Sequence, residues 1–383
     1  MSTSFLSSFR GAPTKRRVSC RGALRSALLF AVLAMGAWLV PQTATADNVF
    51  IGDVGDNSVK AFDATSGAFS GTFIAPKSAG LKGPTGMIFT DGQLVVVNQN
   101  TGSGGGSGQR GEILRFDDVT GTFIGKLVAS SDRNAPFAPQ GIVRGGPDNA
   151  FYVADIGDQS KKCTNEGNVK VYDNAGAFIG NLDRQAFHLE FHPRGMVFGP
   201  DGLLYVSAVG CLDPTDALYA PLAGYILRFN ARTMNFVDVF ASNATVPSLH
   251  RPEGLVFDSK GNLWVTSFRD NSPNSTDVDR ILKLNGKTGE LLYTLPLWVW
   301  DSSKPAAQAI LARAYAQAVL FGPGGKLFVP ITGGGGDTAG QVRRCDIATN
   351  QCDVIVKAGG VLQSPWFLIF RSTDPATLGY TGR

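Results

Sequence analysis

The sequence predicts an all-β protein, a six-bladed β-propeller whose C-terminal strand pairs with the N-terminal blade. The first observation is a β-hairpin turned by Asp or Asn, usually followed by Thr-Gly, which recurs at residues 63–67, 117–121, 173–176, 230–234, 285–289 and 346–350. The second is an apolar strand opened by Pro-x-Gly or a relaxed form of it, which precedes five of these hairpins and recurs near the C-terminus. The first hairpin lacks an opening and the last opening lacks a hairpin. Each supplies what the other lacks, so the repeats close into a ring.

One blade can be followed from the opening at Pro193. Residues 195–198 form an apolar strand, and residues 203–207 form a second strand beyond a Pro-Asp-Gly turn. Residues 225–229 alternate as a half-buried strand should, and a tight turn leads into a fourth strand at 236–240. The same order recurs at 84–128, 139–182, 252–295 and 317–357, and in split form at 49–73 with 366–370.

The N-terminus predicts an export signal peptide over residues 1–46. Six basic residues precede an apolar run at 27–40, and Ala-Thr-Ala at 44–46 has the small-x-small pattern of a cleavage site. The apolar run is shorter than the ~20 residues that a transmembrane helix needs. We therefore expect one propeller domain over 47–383, periplasmic or secreted, with general secretion favoured over the twin-arginine route.

The charge balance argues against nucleic acid or an anionic membrane as a partner. The whole sequence has 35 Lys and Arg against 31 Asp and Glu. Removing the six basic residues of the leader leaves 29 against 31, a net charge of −2. The basic character thus belongs to the leader, and the mature chain has no surplus of cations to steer it to polyanions.

The four cysteines that follow the leader predict disulfides. An even number of cysteines in an exported protein favours disulfides over metal ligation. Cys345 ends one strand and Cys352 begins the next, across a tight turn. Cys163 and Cys211 lie in corresponding loops of consecutive repeats, where a bridge would tie neighbouring blades.

The repeat resembles that of the NHL-repeat propellers. The resemblance rests on Pro-x-Gly followed by an apolar strand, then Asp-Gly or Gly-Asn, a further strand and a later Phe-Asp or Tyr-Asp, and it covers about residues 48–370. The chain is also similar to the wider superfamily of gluconolactonase/senescence-marker proteins, strictosidine synthase-like proteins and streptogramin lyases. The resemblance implies the architecture, whereas activity depends on the residues placed on such a fold.

A ligand site is expected where the innermost strands begin, around the central channel. The middle residue of each opening should point there, one per blade: Thr85, Gln140, Arg194, Glu253, Gln317 and Trp366. The gluconolactonase-like enzymes carry Glu, Asn and Asp at comparable positions, where oxygen ligands hold a divalent cation. Only Glu253 matches that pattern, and Arg194 on the adjacent blade would oppose a cation, so a divalent cofactor has weak support.

Arg194 and Glu253 have two interpretations. They form a partly buried ion pair that steadies the channel, or Arg194 grips a carboxylate or enolate while Glu253 moves a proton. All three histidines, His188, His192 and His250, precede the openings of these two blades. They would support general-base elimination or zinc binding, or simply pack under a neighbouring loop.

Acidic loops and one insertion complete the candidates. Acidic residues are expected in the loops between second and third strands: Asp53, Asp56, Asp155, Asp158, Asp270 and Asp337. They would bind calcium or, as turn residues, bond to their own backbone. Residues 304–316 favour a helix that caps the channel or packs as an insertion.

Two functional classes follow. The leading hypothesis is an exported propeller that binds a small molecule or a protein at the channel face. The alternative is a lyase or a lactone/ester hydrolase that uses Glu253 or a nearby histidine as base and Arg194 to stabilise an anion.

Overall fold

Within the residues that the structure describes, 24 strands form six four-stranded antiparallel sheets. The structure is a computed structural model, and it describes residues 47–100, 110–158, 166–210, 223–270, 272, 275–303, 305, 313–333 and 339–382. No helix in these residues is long and apolar enough to cross a membrane. The predicted six-bladed propeller is confirmed.

Blade 1 is built from both ends of the chain. From the channel outwards it consists of β24 (Pro365–Phe370), β1 (Asn48–Asp53), β2 (Ser58–Asp63) and β3 (Phe69–Ile74). Strand β24 runs antiparallel to β1, with Val49 opposite Phe370 and Gly52 opposite Phe367. The predicted closure of the ring is therefore confirmed, and it covers the strand edge that either terminus alone would leave open.

The other blades follow in sequence order. Blade 2 contains β4 (Pro84–Thr90), β5 (Gln93–Asn98), β6 (Glu112–Asp117) and β7 (Phe123–Val128). Blade 3 contains β8 (Pro139–Gly145), β9 (Ala150–Asp155), β10 (Asn168–Tyr172) and β11 (Phe178–Asn181). Blade 4 contains β12 (His192–Phe198), β13 (Leu204–Val209), β14 (Gly224–Asn230) and β15 (Asn235–Ser242). Blade 5 contains β16 (Arg251–Phe257), β17 (Leu263–Phe268), β18 (Arg280–Leu284) and β19 (Leu291–Pro296), and blade 6 contains β20 (Leu320–Phe321), β21 (Leu327–Ile331), β22 (Gln341–Asp346) and β23 (Gln351–Val356).

Apolar packing between blades explains the sequence pattern of each strand. The second strands β9 and β13 are buried along their whole length because neighbouring blades cover both faces. The outermost strand β15 instead alternates between exposed and half-buried residues over 235–239 and is buried only at Phe240 and Ala241. At five of the six junctions between neighbouring blades, an aromatic side chain of one blade packs edge-to-face against one of the next. These pairs are Phe50 with Phe89, Tyr152 with Phe198, Tyr205 with Phe257, Trp264 with Phe321, and Phe328 with Phe370.

The hairpin turns between third and fourth strands explain the recurring Asp and Gly. In the first turn the Asp63 carboxylate accepts hydrogen bonds from the backbone N–H groups of Thr65 and Ser66. Gly67 then has a φ of 73°, and a Cβ there would lie 1.8 Å from the carbonyl oxygen of Ile355 in blade 6. Glycine is thus required both by the left-handed backbone and by the close approach of the neighbouring blade.

The C-terminal segment crosses the end of the channel opposite the strand openings, a feature that the sequence analysis did not predict. The carbonyl oxygens of Pro375 and Ala376 accept hydrogen bonds from the backbone N–H groups of Arg144 and Phe198, at 2.8 and 3.0 Å. Leu378 is buried and lines the channel. The hydroxyl of Tyr380 donates a hydrogen bond to the carboxylate of Asp47, so the two ends of the described chain meet.

The insertion between blades 5 and 6 is partly described. Residues 304 and 306–312 lie outside the described residues, so most of the predicted helix stays a prediction. Residues 313–319 form neither a helix nor a strand. The buried Asp279 carboxylate holds this stretch, since it accepts hydrogen bonds from Arg313 Nε and Tyr315 N at 3.1 and 2.9 Å.

Candidate functional site

One cavity lies on the propeller axis, and the six opening residues line it together. These residues are Thr85, Gln140, Arg194, Glu253, Gln317 and Trp366. Five of them are buried and Trp366 is half-buried. Because the innermost strands all begin at this end of the ring, the repeat places one side chain from each blade around the axis.

The glycine of each Pro-x-Gly opening sets the width of the channel. A Cβ on Gly86 would lie 2.4 Å from the carbonyl oxygen of Gln140, and one on Gly195 would lie 2.4 Å from that of Glu253. Gly141 faces the carbonyl of Arg194 in the same way, at 2.7 Å. Glycine therefore lets adjacent innermost strands approach closely, and the channel between them is narrow.

The cavity has a volume of about 30 Å³. This is room for about two water molecules, since one water needs roughly 10–15 Å³ measured in this way. Its lining away from the openings is apolar and includes Ile142, Met196, Leu255 and Leu378. The polar chemistry of the channel is thus confined to the end where the strands begin.

Two arginines flank the buried carboxylate of Glu253. Arg194 Nε lies 3.9 Å from Glu253 Oε1, and Arg251 Nε donates a hydrogen bond to the same oxygen at 2.7 Å. Burial lowers the pKa of Arg194 to about 10, against the opposing effect of the Glu253 charge. Arg194 is therefore still a cation at neutral pH, and the three groups carry a net charge of about +1 at that pH.

Arg251 is the partner that sequence reasoning missed. It lies just before the opening Pro252, and the carbon at the centre of its guanidinium stacks 4.8 Å from the centre of the Phe268 ring. The sequence does contain a signal for this contact: Arg251 lies two residues before Glu253, and residues two apart in a strand lie on the same face. Because Arg251 already bonds to Glu253, Arg194 is not needed to neutralise that carboxylate.

Two polar atoms in the lining of this cavity have no hydrogen-bond partner among the described residues. They are Arg194 Nε and Gln317 Oε1, one a donor and the other an acceptor. Native proteins satisfy the large majority of such buried atoms with protein groups or ordered water. Among the described residues, the Nε donor of Arg194 and the Oε1 acceptor of Gln317 are therefore available to water or to a bound group.

The histidines do not line this cavity. His192 is buried at the start of β12, and its Nδ1 lies 3.0 Å from the carbonyl oxygen of Ile156. A carbonyl only accepts hydrogen bonds, so Nδ1 carries the proton. Burial lowers the pKa of His192, which keeps the ring neutral. His188 is exposed in the preceding loop.

His250 belongs to a separate charged cluster in blade 5. Its Nε2 lies 3.7 Å from Asp277 Oδ2, and Asp277 also pairs with Arg280. Burial lowers the pKa of His250, whereas the charge of Asp270 opposes that shift. The structure thus brings Arg194 and Glu253 together in one cavity and leaves all three histidines outside its lining.

The acidic loops hold the backbone of their own blades together. Asp53 accepts hydrogen bonds from the backbone N–H groups of Gln363 and Ser364, both at 2.8 Å. Asp155 does the same for Phe137 and Ala138, also at 2.8 Å. Each carboxylate therefore ties the loop after a second strand to the loop before an innermost strand. Asp337 lies outside the described residues.

A divalent cation does not fit the residues of the channel. Glu253 is the one carboxylate in the described lining of the cavity, and the cationic Arg194 lies 3.9 Å from it. A hard cation of this kind requires several oxygen ligands. Among the described residues, no group of three or more His, Cys, Asp or Glu side chains is placed to hold a metal ion.

One disulfide is present in the described part of the chain. Cys345 and Cys352 form it across the turn between β22 and β23, where they are register partners. This prediction is confirmed. Cys163 and Cys211 lie outside the described residues, so their pairing stays a prediction.

Some solved structures are similar to this chain at low sequence identity. No protein-family model matches the sequence, and no curated protein is significantly similar to it. Among solved structures, a luciferin-regenerating enzyme is 15% identical, with a TM-score of 0.47 over 74% of this chain and 80% of that one. A provisionally assigned gluconolactonase is 17% identical, with a TM-score of 0.43 over 74% of this chain and 86% of that one.

A third similar structure is the virginiamycin B lyase from Staphylococcus aureus. It is 13% identical, with a TM-score of 0.43 over 83% of either chain. The resemblance predicted from the repeats is confirmed at the level of architecture by the six blades of the structure itself.

Proposed function

We propose that this protein is an exported propeller that binds an anionic ligand at the mouth of its central channel, with Arg194 as the anion-binding residue. Arg194 carries the proposal because its guanidinium is 5% exposed and its Nε has no hydrogen-bond acceptor among the described residues. Placing an unsatisfied charged donor in a protein interior is costly. A bound anion would satisfy it, since charge-assisted hydrogen bonds to guanidinium are among the strongest that proteins form.

The dimensions of the channel limit the kind of ligand. A cavity of about 30 Å³ admits a group the size of a carboxylate and excludes a whole metabolite, because ligand pockets usually have volumes of roughly 300–1,000 Å³. The ligand would insert its anionic group between Arg194 and Gln317 and leave its remainder outside the mouth. Trp366, which is half-buried, would contact that remainder.

The remaining ring residues would orient the anionic group. The hydroxyl of Thr85 donates to the carbonyl oxygen of Pro139 at 2.8 Å and is therefore fixed in place. Gln140 and Gln317 can each donate through the amide nitrogen or accept through the amide oxygen. Because Arg194, Arg251 and Glu253 together carry a net charge of about +1, the site would favour a singly charged anion.

Export is the second part of the proposal. It is supported by the basic and apolar leader over residues 1–46 and by the disulfide between Cys345 and Cys352, a bond that persists in oxidising compartments. The test is the location and N-terminal sequence of the protein produced in its native host. Processed protein beginning near Asp47 outside the cytoplasm is the expected result, and unprocessed cytoplasmic protein would contradict it.

Anion binding is tested with acetate as the probe and acetamide as its neutral counterpart. We expect calorimetric titration to detect acetate binding to the wild-type protein and no binding of acetamide. Arg194→Met should abolish the acetate signal, whereas Gln317→Leu, a ring variant without a charge change, should weaken it. Acetate binding that survives in Arg194→Met would remove the basis of the proposal.

The enzyme alternative has one observation in its favour. A carboxylate and a guanidinium lie side by side in one cavity, as an acid–base group and an anion stabiliser would. The same variants separate the two functions when they are assayed with lactone and ester substrates. Glu253→Gln would abolish turnover while acetate binding persists if Glu253 acts as a base, whereas absence of turnover in the wild-type protein leaves binding as the function.

A further inference from the structure

A second polar cleft lies in blade 3, away from the channel. It has a volume of about 520 Å³ and is formed where the loops before β8 and after β9 meet the start of β10. The charged residues that face it are Arg110, Asp155, Asp158, Glu166, Lys170 and Arg184. The cleft is large enough for a small organic ligand, since such pockets usually have volumes of roughly 300–1,000 Å³.

Blade 1 contains a lysine in the corresponding position, where two carboxylates neutralise it. Lys60 lies in the third strand, three residues before the hairpin Asp63. Its ammonium group bonds at 2.6 Å to Asp53 and at 2.6 Å to Asp56. These two acids form an Asp-x-x-Asp pair at the end of the second strand, so the lysine is neutralised and buried.

Blade 3 has a lysine and two aspartates at the corresponding positions, but there the lysine is not paired with the aspartates. Lys170 lies three residues before the hairpin Asp173, and Asp155 and Asp158 repeat the Asp-x-x-Asp pair. Lys170 nevertheless forms no ion pair with any carboxylate in the described residues. Its Nζ instead lies 5.5 Å from the centre of the Phe178 ring. Lys170 is one of the residues that line the cleft.

The neighbouring acids are engaged with other groups. Asp155 accepts three backbone hydrogen bonds, and Glu166 pairs with Arg184. Arg110 donates to the carbonyl oxygens of Arg133 and Ala135, at 2.7 and 3.2 Å, which holds a second cation at the cleft. Burial lowers the pKa of Lys170, the charge of Asp155 opposes that shift, and Arg110 reinforces it.

We propose that Lys170 is a nucleophilic amine whose cleft captures carbonyl compounds that also carry an anionic group. The unprotonated Nζ would attack the carbonyl carbon, and the carbonyl oxygen would leave as water, which takes two protons from the amine and leaves a C=N bond. Arg110 would bind the anionic group of the ligand. An amine that is desolvated beside another cation is the arrangement by which proteins prepare lysine for this reaction.

The proposal is independent of anion binding in the channel, because the two sites share no lining residue. The probe is pyridoxal phosphate, an aldehyde with a phosphate group, followed by borohydride reduction and peptide mapping of the purified protein. We expect substoichiometric probe to label Lys170 in preference to the exposed lysines, and inorganic phosphate to reduce that label. The paired Lys60 should stay unlabelled and serves as the internal control.

Lys170→Arg keeps the charge and removes the nucleophile, so it should lose the labelled peptide while its circular dichroism is unchanged. Labelling of Lys170 should also persist to a lower pH than labelling of the exposed lysines. Label spread over the surface lysines in proportion to their exposure would overturn the proposal. An unchanged labelling pattern in the wild-type protein when phosphate is added would remove the role of Arg110.

Discussion

Replacing Arg194 by methionine tests the proposed anion site through stability as well as binding. Methionine has a similar length and no charge, and it suits a cavity whose deeper lining is apolar. The change leaves Glu253 with its hydrogen bond from Arg251 at 2.7 Å. The variant therefore does not strand a buried carboxylate, which is the usual reason that breaking a buried ion pair is severe.

The expected change in the free energy of unfolding follows from the pKa of Arg194, which burial lowers from its ordinary value to about 10. That difference corresponds to about 3 kcal/mol by which the folded protein disfavours the cation, and it already includes the attraction to Glu253. Removing the charge should raise the free energy of unfolding by roughly 1–3 kcal/mol once some lost packing is allowed for. The melting temperature should rise by roughly 2–6 °C.

The assay is urea unfolding in a buffer free of small anions, followed by tryptophan fluorescence, with Arg232→Met as the control. Arg232 is exposed in the turn between β14 and β15, so its loss should change stability by less than about 0.5 kcal/mol. Added acetate should stabilise the wild-type protein and not Arg194→Met. If Arg194→Met lowers the free energy of unfolding by more than about 1 kcal/mol, the guanidinium is satisfied in the folded protein and the reasoning fails.

Four further outcomes are expected. Lys60→Met leaves the buried Asp53 without its ammonium partner and should lower the free energy of unfolding in urea by about 3 kcal/mol. Lys170→Met should change it by less than about 0.5 kcal/mol. Equal losses in the two variants would show that the lysines of blades 1 and 3 do not differ as described. Burial lowers the pKa of His192, so the unfolded chain takes up the proton first, and stability should be complete above the ordinary value of 6.5 and fall as the pH drops through the folded pKa. His192→Asn should flatten this dependence below pH 6.5, the ordinary pKa of histidine, and an unchanged slope would assign the dependence to other groups. The disulfide between Cys345 and Cys352 should contribute about 2 kcal/mol, measured without reductant as the difference in the free energy of unfolding between the wild-type protein and a Cys345→Ser/Cys352→Ser variant; equal stabilities would contradict this. Because the channel residues do not fit a divalent cation, chelator should leave the thermal melt unchanged, and a melting temperature lowered by chelator and restored by calcium or zinc would reverse that conclusion.

The fold could be predicted from the sequence because each blade repeats the same local signals. The Asp or Asn that opens a hairpin turn and the glycine that ends it act within a few residues. The split of blade 1 between the two ends followed from counting the signals, since one hairpin and one opening were left over. The placement of the ring residues followed from the same repeat.

The chemistry of the sites could be predicted less well because it depends on contacts between distant residues. The engagement of Glu253 by Arg251 depends on the rotamers of two residues on one strand. Lys60 and Lys170 stand in equivalent positions of the sequence, yet one is paired and the other is not. The closure of the channel by Leu378 depends on a segment without any repeat signal, whose course is fixed by backbone hydrogen bonds to blades 3 and 4.

The split blade also determines when the protein can finish folding. Strand β1 is synthesised first and β24 last, yet they are neighbours in one sheet, so the longest-range contacts of the ring form at the end. Until then the inner edge of β1 is an unpaired strand edge, exposed on an incomplete ring. Since Tyr380 reaches Asp47, the two ends are close enough to be joined. A circular permutant opened before Pro84 would carry the strands of blade 1 in their spatial order, and we expect it to refold faster to the same ring.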